Sequence, residues 1–291
     1  MDKKSGFVTL IGRTNAGKSS LVNFLLGEKI SLVSHKQNAT RRKINAIVMH
    51  EKNQIIFIDT PGLHNSQKLM NRLMVDVAIK SIGDADLILF VASIHDDLRD
   101  YGEFLKIKTN LKHIVVLTKI DQASPEAVIK KLEMYQKFKD KFQAIMPISI
   151  KKSIYKKSLL DEISKHLPNH EYFYDEELLS TSNLKDIYRD FILEAIFESV
   201  SSEIPYSSDV IVEKVIEEPN LISIYSKIIT DTNSHKIILI GKNATTIKRI
   251  GIKARKLISK LSKTKIYINL DVIVKKSWNS NEKIIKNHFI S

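Results

Sequence analysis

Short apolar runs alternate with helical patterns along the chain up to about residue 167. Residues 7–11, 86–92, 113–117 and 144–148 are almost wholly apolar, as strands are when both faces of their sheet are covered. Residues 43–50 and 54–59 predict two further strands, and residues 66–82 carry apolar side chains at helical spacing. This alternation predicts an α/β fold with a mostly parallel sheet flanked by helices.

The pattern changes after residue 168. Residues 169–182 are acidic and aromatic without a clear period, so we interpret them as an interdomain linker. Residues 184–203 predict an amphipathic helix, and residues 210–217 and 221–230 alternate like half-exposed antiparallel strands. Residues 237–240 read as a short strand continuation, 244–261 as a helix interrupted at Gly251, and 265–274 as a closing strand. The prediction is domains at 1–168 and 183–276, the second of α+β type, with a basic tail at 277–291.

Composition excludes several classes of site. The chain has 291 residues, of which 43% are hydrophobic and 27% charged, as in ordinary globular proteins. Cysteine is absent, which excludes a disulfide framework, a thiolate metal site and a cysteine nucleophile. No apolar run approaches a membrane span of roughly 18 residues, and the start lacks the apolar core of a signal peptide. We therefore expect a cytoplasmic protein.

Positive charge is concentrated near the end of the chain. The formal net charge is +13, and residues 242–291 hold thirteen Lys or Arg against two acidic residues. Such a skew favours a polyanionic partner, either nucleic acid or an anionic membrane surface. A lysine-rich composition that decorates every surface is the plainer alternative.

The strongest motif follows the first apolar run. Residues 12–19 match the Walker A pattern, two glycines separated by four residues and followed by Lys and Ser. Backbone N–H groups of such a loop cradle phosphates, Lys18 would reach the β- and γ-phosphates, and the Ser19 hydroxyl would ligate Mg²⁺. The predicted nucleotide-binding residues are Gly12, Arg13, Thr14, Asn15, Ala16, Gly17, Lys18, Ser19 and Ser20.

Further stretches fit the rest of a guanine-nucleotide site. Asp59, Thr60, Pro61 and Gly62 end the third predicted strand, where Asp59 can hold Mg²⁺ through water and the Gly62 N–H can sense the γ-phosphate. Thr40 lies in the polar loop after the first helix, and its hydroxyl could complete the Mg²⁺ shell. Each stretch alone could be a turn or a surface residue.

Two strand ends could read the base. Thr118, Lys119 and Asp121 follow one apolar strand, and the Asp121 carboxylate can accept hydrogen bonds from guanine N1 and N2, a donor pair that adenine lacks. Ser149, Ile150 and Lys151 follow the last strand and would place the Ile150 N–H near guanine O6.

With these motifs in place, the chain resembles the Era family, GTPases of bacterial small-subunit ribosome assembly. The resemblance runs through residues 12–19, 59–64, 71–74, 203–207, 251–256 and Trp278, which covers nearly the whole length. It implies a P-loop GTPase domain followed by a type II KH domain, with GTP or GDP and Mg²⁺ as ligands. The ligand of the second domain would be the 3′ end of 16S ribosomal RNA in the 30S subunit.

The sequence departs from the family pattern at named positions. Thr118 replaces the usual Asn, and we expect somewhat weaker guanine affinity because Thr can still hydrogen-bond the phosphate loop. Ile150 replaces Ala, where only the backbone is required. Leu63 stands where many GTPases place a water-orienting Gln, as it does in the family. Asn15 matches the asparagine with which related GTPases hold potassium, so we expect slow, K⁺-stimulated hydrolysis with Asn15, Lys18, Thr40 and Gly62 as the catalytic set.

The KH resemblance implies an RNA-binding loop at residues 241–244, where KH domains carry Gly-x-x-Gly. The second glycine is replaced by Ala244, which costs little at helical dihedrals and more at positive φ. The predicted RNA-binding residues are Ile240, Gly241, Lys242, Asn243, Ala244, Ile247, Lys248 and Arg249, although a solvated basic helix face would look similar.

The function predicted is therefore a GTP-hydrolysing switch of ribosome assembly, acting as a monomer. The alternative is a GTPase of the inner-membrane surface whose basic C-terminal part contacts lipid. A P-loop ATPase or kinase is a third possibility, and it depends on whether Asp121 reads guanine.

Overall fold

The computed structural model describes residues 3–31, 42–61, 80–107, 109–201, 203–262, 264–276 and 278. These residues form two compact units. The second unit takes the chain from Ser182 onward and also includes residues 29–31. Within the described residues, no helix combines the length and apolar character that crossing a membrane requires.

The first unit is built on a sheet of six strands. They are β1 (Lys4–Ile11), β2 (Ile44–His50), β3 (Asn53–Asp59), β4 (Leu87–Ser93), β5 (His113–Thr118) and β6 (Ile145–Pro147). Their order is β2-β3-β1-β4-β5-β6, and only the β2–β3 pair is antiparallel. This confirms the predicted α/β fold with a mostly parallel sheet.

Helices of the first unit follow the strands. They are α1 (Lys18–Leu26), α2 (Arg99–Phe104), α3 (Pro125–Tyr135) and α4 (Lys156–Lys165). Residues 80–83 are also helical, while most of the helix predicted at 66–82 lies outside the described residues. All seven residues of β4 are buried, as expected of a parallel strand with both faces covered. The carboxyl ends of β1, β3, β4 and β5 meet at one edge, where the predicted nucleotide motifs lie.

The segment interpreted as a linker packs against the first unit. Gln54 is fully buried, its Nε2 donates to Tyr174 O at 2.7 Å, and its Oε1 accepts from the Phe173 N–H at 2.9 Å. The rings of Phe173 and Phe7 lie 4.9 Å apart. Ile47 N–H donates to Leu179 O at 2.9 Å. Residues 169–181 therefore belong to the first unit and do not form a free connection.

The second unit is an α+β domain. It contains α5 (Leu184–Ser199), β7 (Ser208–Glu218), β8 (Leu221–Thr230), α6 (Asn233–Ile240), α7 (Thr245–Ser262) and β9 (Lys265–Val274). The sheet order is β7-β8-β9, with β7 and β8 antiparallel and β8 and β9 parallel. The observed element order is helix, two strands, two helices and strand.

Three sequence-based predictions for elements of the second unit were wrong. Residues 237–240 end helix α6, because the Thr232 side chain accepts a hydrogen bond from His235 N and starts a helix there. Helix α7 continues through Gly251 without a break, since its Ile250, Ala254 and Ile258 stay buried on one face. Helix α5 ends at Ser199 and not at residue 203, because Val200 is already extended.

Candidate functional site

The predicted phosphate loop turns sharply between β1 and α1. A Cβ atom on Gly12 would lie 2.1 Å from Val91 O, so only glycine fits this approach to β4. Asn15 has a left-handed φ of 64°, and Ala16 N–H donates back to Arg13 O at 3.3 Å. The Thr14 hydroxyl is buried without a hydrogen-bond partner among the described residues. A curled loop with an unused buried hydroxyl fits the binding of a phosphate chain.

Lys18 lies across this loop. Its Nζ donates to Gly12 O and Arg13 O, both at 3.0 Å, and the residue is buried. Burial lowers the pKa of Lys18 to about 8, although the nearby Asp59 and Asp96 carboxylates act in the opposite direction. The ammonium therefore remains mostly charged at neutral pH, in a place where an anion would meet a poorly solvated cation.

The predicted magnesium ligands are only partly described. Asp59 is fully buried at the end of β3, and Ser19 is half-buried in the first turn of α1. The neighbouring Thr60 hydroxyl donates to Leu10 O at 2.7 Å, which ties the end of β3 to β1. Carboxylate and hydroxyl oxygens are the donors that Mg²⁺ prefers, so these two residues fit the ion. Thr40, Gly62 and Leu63 lie outside the described residues.

Thr118 and Lys119 join the end of β5 to the phosphate loop. The Thr118 hydroxyl donates to Ala16 O at 2.6 Å, so this threonine makes the expected hydrogen bond. Lys119 has a left-handed φ of 59°, and its Nζ donates to Asn15 O at 2.7 Å. The Lys119 side chain therefore reaches from the end of β5 to the phosphate loop.

The predicted base-reading residues lie together. The Ser149 hydroxyl donates to Asp121 Oδ1 at 2.7 Å, and it also accepts from Lys152 N–H at 3.1 Å. The Ser149 hydrogen bond lowers the pKa of Asp121, so the carboxylate is ionised at neutral pH. Ile150 and Lys151 follow in the same turn, which is closed by a bridge between Ser149 and Ile154. An oriented carboxylate of this kind can accept two parallel N–H donors.

No sequence motif pointed to the loop after β4. The Asp96 carboxylate accepts a hydrogen bond from Ser93 N–H at 2.7 Å, and it is one of the two charges that raise the pKa of Lys18. His95 Nε2 lies 3.0 Å from Gln122 Oε1, near Asp121 in the chain. Sheet order brings β4 between β1 and β5, and that order is not visible in the sequence.

In the second unit, the predicted RNA loop joins α6 to α7. Gly241 has φ 74°, and a Cβ there would lie 2.8 Å from Thr246 N. Asn243 and Ala244 are also left-handed, with φ of 51° and 59°. Lys242, Asn243 and Lys248 are exposed, and Ile240 and Ile247 are half-buried beside them. A tight loop with exposed cations next to apolar side chains suits a nucleic-acid backbone and its bases.

Arg249 faces a different partner from the phosphate predicted for it. Its guanidinium donates to Ser199 O at 2.7 Å, and Lys253 Nζ donates to Glu198 O at 3.1 Å. Both cations therefore satisfy carbonyl groups at the C-terminal end of α5, where positive charge is favourable. The two residues hold α7 against α5.

Two protein-family descriptions match the chain in order. The family described as "50S ribosome-binding GTPase" matches residues 7–119, and the KH domain family matches residues 203–279. The first match covers β1 to β5 with the phosphate loop, and the second covers the basic loop and its flanking helices.

Similar proteins and structures cover the whole chain. The GTPase Era of Campylobacter hominis is 63% identical and that of Campylobacter fetus is 61% identical, with 99% of both chains covered in each case. A variant of Aquifex aeolicus Era bound to GDP.AlF4⁻ has a TM-score of 0.93 at 29% identity, covering 98% of this chain and 99% of that one. A solved complex of Era with MgGDPNP and nucleotides 1506–1542 of 16S ribosomal RNA also has a TM-score of 0.93, at 30% identity, with 99% of both chains covered. Because the similarity runs through both units at this level, the chain belongs to the Era family of GTPases.

Proposed function

We propose that this protein is a GTP-hydrolysing switch that binds the 3′ end of 16S ribosomal RNA during assembly of the 30S subunit. The observation that carries the proposal is the pairing of two sites on one chain. The first unit holds a phosphate loop beside an oriented Asp121, and the second holds a basic loop at residues 241–244.

The nucleotide half of the proposal rests on the geometry around Lys18 and Asp121. Lys18 supplies a poorly solvated charge for phosphates, and Asp121 offers an ionised acceptor for guanine N1 and N2. Ser19, Asp59 and Thr40 would hold Mg²⁺, which neutralises charge on the phosphates when bound. The remaining nucleotide contacts are proposed for Gly12–Ser20, Thr60–Gly62, Lys119 and Ser149–Lys151.

Guanine selection by Asp121 is testable by one substitution. Asp121→Asn replaces one carboxylate oxygen with an amide donor, which matches the carbonyl at position 2 of xanthine. We expect the variant to prefer xanthosine triphosphate over GTP in equilibrium binding, while Ser149 and Lys18 remain in place. Retention of GTP preference would show that another group reads the base and would reopen the ATPase or kinase alternative.

Potassium is proposed as an activator through Asn15. The residue is exposed at the rim of the phosphate loop, and its backbone carbonyl is already used by Lys119. Its side chain is therefore the group proposed to face the ion. Faster hydrolysis in potassium than in sodium buffer, lost in Asn15→Ala, is the expected result, and equal rates in both buffers would contradict it.

The RNA half of the proposal rests on the second unit and on the Era complex with nucleotides 1506–1542 of 16S ribosomal RNA. Ile240, Lys242, Asn243, Ile247 and Lys248 are the proposed contacts, with Arg249 acting through the α5–α7 contact. The same evidence does not favour the membrane alternative. A role in ribosome assembly also implies a cytoplasmic protein.

The decisive experiment measures coupling between the two sites. RNA of nucleotides 1506–1542 is titrated against the full chain loaded with GDPNP or with GDP, and GTP hydrolysis is followed with and without the RNA. We expect RNA affinity to differ between the two nucleotides, because a switch requires a coupling free energy, typically about 1–3 kcal/mol. Absence of RNA binding in both states would overturn the proposal.

A further inference from the structure

A group of three potential metal ligands belongs to neither of the sites described above. His50 ends strand β2, Glu51 follows it in the β2–β3 turn, and Asp161 lies on helix α4. Their ligand atoms, one from each residue, all lie within 4.8 Å of one another. In the described part of the chain, this is the one group of three such residues whose ligand atoms come so close together.

The histidine and the aspartate are already in contact. His50 Nε2 lies 2.6 Å from Asp161 Oδ1, although 111 residues separate them in the chain. The His50 side chain is only 11% exposed, so its ring is held by the surrounding packing. The fold therefore places two ligands from different elements side by side, and an ion would not have to order them.

Glu51 brings the second carboxylate from the turn. Its backbone has a left-handed φ of 53°, which asparagine or glycine adopts more readily than glutamate. The turn itself therefore does not favour a glutamate at this position. Its side chain is exposed, so the carboxylate is free to rotate towards His50 and Asp161.

A cation already lies between the two carboxylates. Lys157 Nζ is 3.8 Å from Glu51 Oε1 and 3.9 Å from Asp161 Oδ2. Both distances are longer than a hydrogen bond, and the Lys157 side chain is 75% exposed. Such a loose surface pair contributes little stability. The ammonium thus marks a place that attracts positive charge, and it can leave that place at little cost.

The donor set suits a transition-metal dication. Two carboxylates and a neutral imidazole supply two negative charges, which balance a charge of +2. Zn²⁺ binds His nitrogen and Asp or Glu oxygen, commonly with three protein ligands and one water. The imidazole favours Zn²⁺ over Mg²⁺, which prefers oxygen ligands. Tetrahedral zinc ligands are about 3.4 Å apart, so these side chains need to move by only about 1 Å.

We propose that His50, Glu51 and Asp161 form a binding site for a divalent transition-metal ion, for which Zn²⁺ is the best match. A bound ion would cross-link the β2–β3 turn to helix α4 and thereby stabilise the first unit. The inference goes beyond the proposed function and uses none of its nucleotide or RNA contacts.

The test is a titration of the full chain with zinc chloride. The protein is first loaded with Mg²⁺ and GDP and freed of excess nucleotide, so that the predicted magnesium site at Ser19 and Asp59 is filled. Isothermal titration calorimetry measures the stoichiometry and the affinity for Zn²⁺. Scanning calorimetry measures the melting temperature of each variant with and without the ion.

The matched control lies on the same helix. Glu162 contacts His166 Nε2 at 3.1 Å and Lys165 Nζ at 2.6 Å, so it has a histidine and a lysine beside it but no second carboxylate. Glu162→Gln should therefore leave the Zn²⁺ affinity unchanged. Glu51→Gln and Asp161→Asn each remove one proposed ligand, and both are substitutions of side chains that solvent reaches.

We expect one Zn²⁺ to bind the unaltered chain at this site. At 100 times its Kd, it should raise the melting temperature of the first unit by about 5 °C. Glu51→Gln and Asp161→Asn should each weaken binding by at least about tenfold, the loss expected even for an outer-shell partner. Millimolar Mg²⁺ should not displace the ion.

Lys157→Ala provides the sharpest comparison. If its ammonium competes with the ion for the two carboxylates, removal of that charge should tighten Zn²⁺ binding by about fivefold. A lysine that only braced the carboxylates would have the opposite effect when removed.

Four outcomes overturn the inference. They are no Zn²⁺ binding by the loaded chain, an unchanged affinity in Asp161→Asn, an equal loss in Glu162→Gln and Asp161→Asn, and weaker binding in Lys157→Ala. None of them bears on GTP hydrolysis or on RNA binding, so the proposed function is tested separately.

Discussion

The buried ammonium of Lys18 links the phosphate loop to pH. Its pKa is lowered to about 8 by burial, below the value of 10.5 for a free lysine. In the absence of nucleotide, the charged form therefore costs stability below pH 8, and this cost is relieved as pH rises from about 8 towards 10.5. Bound phosphates favour the charged form, so proton binding and nucleotide binding support each other.

GDP affinity should consequently fall as pH rises through 8. From a pKa of about 8, we expect binding to be about fourfold weaker at pH 8.5 than at pH 7, measured by isothermal titration calorimetry. Lys18→Arg keeps its charge over this range, so its weaker binding should not vary with pH. A pH-independent affinity of the unaltered chain would contradict the low pKa.

Ala244 stores backbone strain in the second unit. Its φ of 59° is left-handed, a region that costs a non-glycine residue about 1–2 kcal/mol. We expect Ala244→Gly to raise the free energy of unfolding by about 0.5–1 kcal/mol, since the relief of strain exceeds the entropy that glycine adds to the unfolded chain. Urea denaturation followed by circular dichroism measures the change.

Gly241→Ala is the matched control and should have the opposite effect on the free energy of unfolding. The added Cβ would meet the Thr246 backbone at 2.8 Å and force a left-handed alanine, so stability should fall. A stability loss in Ala244→Gly as well would mean that residue 244 adopts ordinary helical dihedrals, where alanine is the better residue.

At the scale of elements, α7 shows how packing overrides a local signal. Gly251 suggested an interruption, yet the helix is continuous because its buried face is anchored on both sides of the glycine. A Cβ at Gly251 would lie 3.8 Å from Leu270 Cδ1, which is ordinary van der Waals contact. There is therefore room for a methyl group at residue 251, and glycine is not required there.

Gly251→Ala should stabilise the protein by about 0.5–1 kcal/mol, because alanine restricts the unfolded chain and favours the helix. Thermal melting of the full chain provides the measurement, and Ala254→Gly on the buried side of the same helix is a control that should destabilise it. A decrease in stability for Gly251→Ala would reveal that the helix and β9 lie closer than this contact distance.

The apolar run at residues 237–240 shows a case in which the sequence pattern alone cannot identify the element. Four apolar residues in a row carry no period, so pattern alone cannot separate a strand from the end of a short helix. The Thr232 cap decides for the helix, with its side chain accepting from His235 N. The long alternating run 265–274, in contrast, was predicted with the bounds that β9 has.

At the scale of the molecule, the segment after residue 168 decides where the first unit ends. Gln54 is buried and bonded to the backbone of Phe173 and Tyr174, and Ser180 donates to Asn45 O at 2.6 Å. Cutting this segment away would leave Gln54 without these partners and would expose Phe7.

A fragment of residues 1–181 should therefore melt about 5–10 °C higher than a fragment of residues 1–168. Both fragments are compared by scanning calorimetry in saturating GDP. The substitution Phe173→Ala should lower the melting temperature of the longer fragment by part of this difference. Equal melting temperatures would indicate that the segment contributes no net stability to the first unit.

The sequence by itself determined the α/β order of the first unit, the α+β class of the second, and the motifs at residues 12–19, 59–61 and 118–121. These follow from local chemistry, because periodicity, glycines and strand ends are written in neighbouring residues. The Thr118 hydrogen bond to the phosphate loop was also predictable, since hydroxyl chemistry and motif spacing suffice.

Tertiary structure alone decided which charges act together. Asp96 lies near enough to Lys18 to raise its pKa because β4 lies beside β1 in the sheet. Arg249 donates to Ser199 O because α5 and α7, which are distant in sequence, pack together. The same packing leaves Lys248, Arg255, Lys256 and Lys260 of α7 exposed. Charge count is a property of the sequence, whereas the face on which a charge lies, and the carbonyl that satisfies it, depend on contacts between residues far apart in the chain.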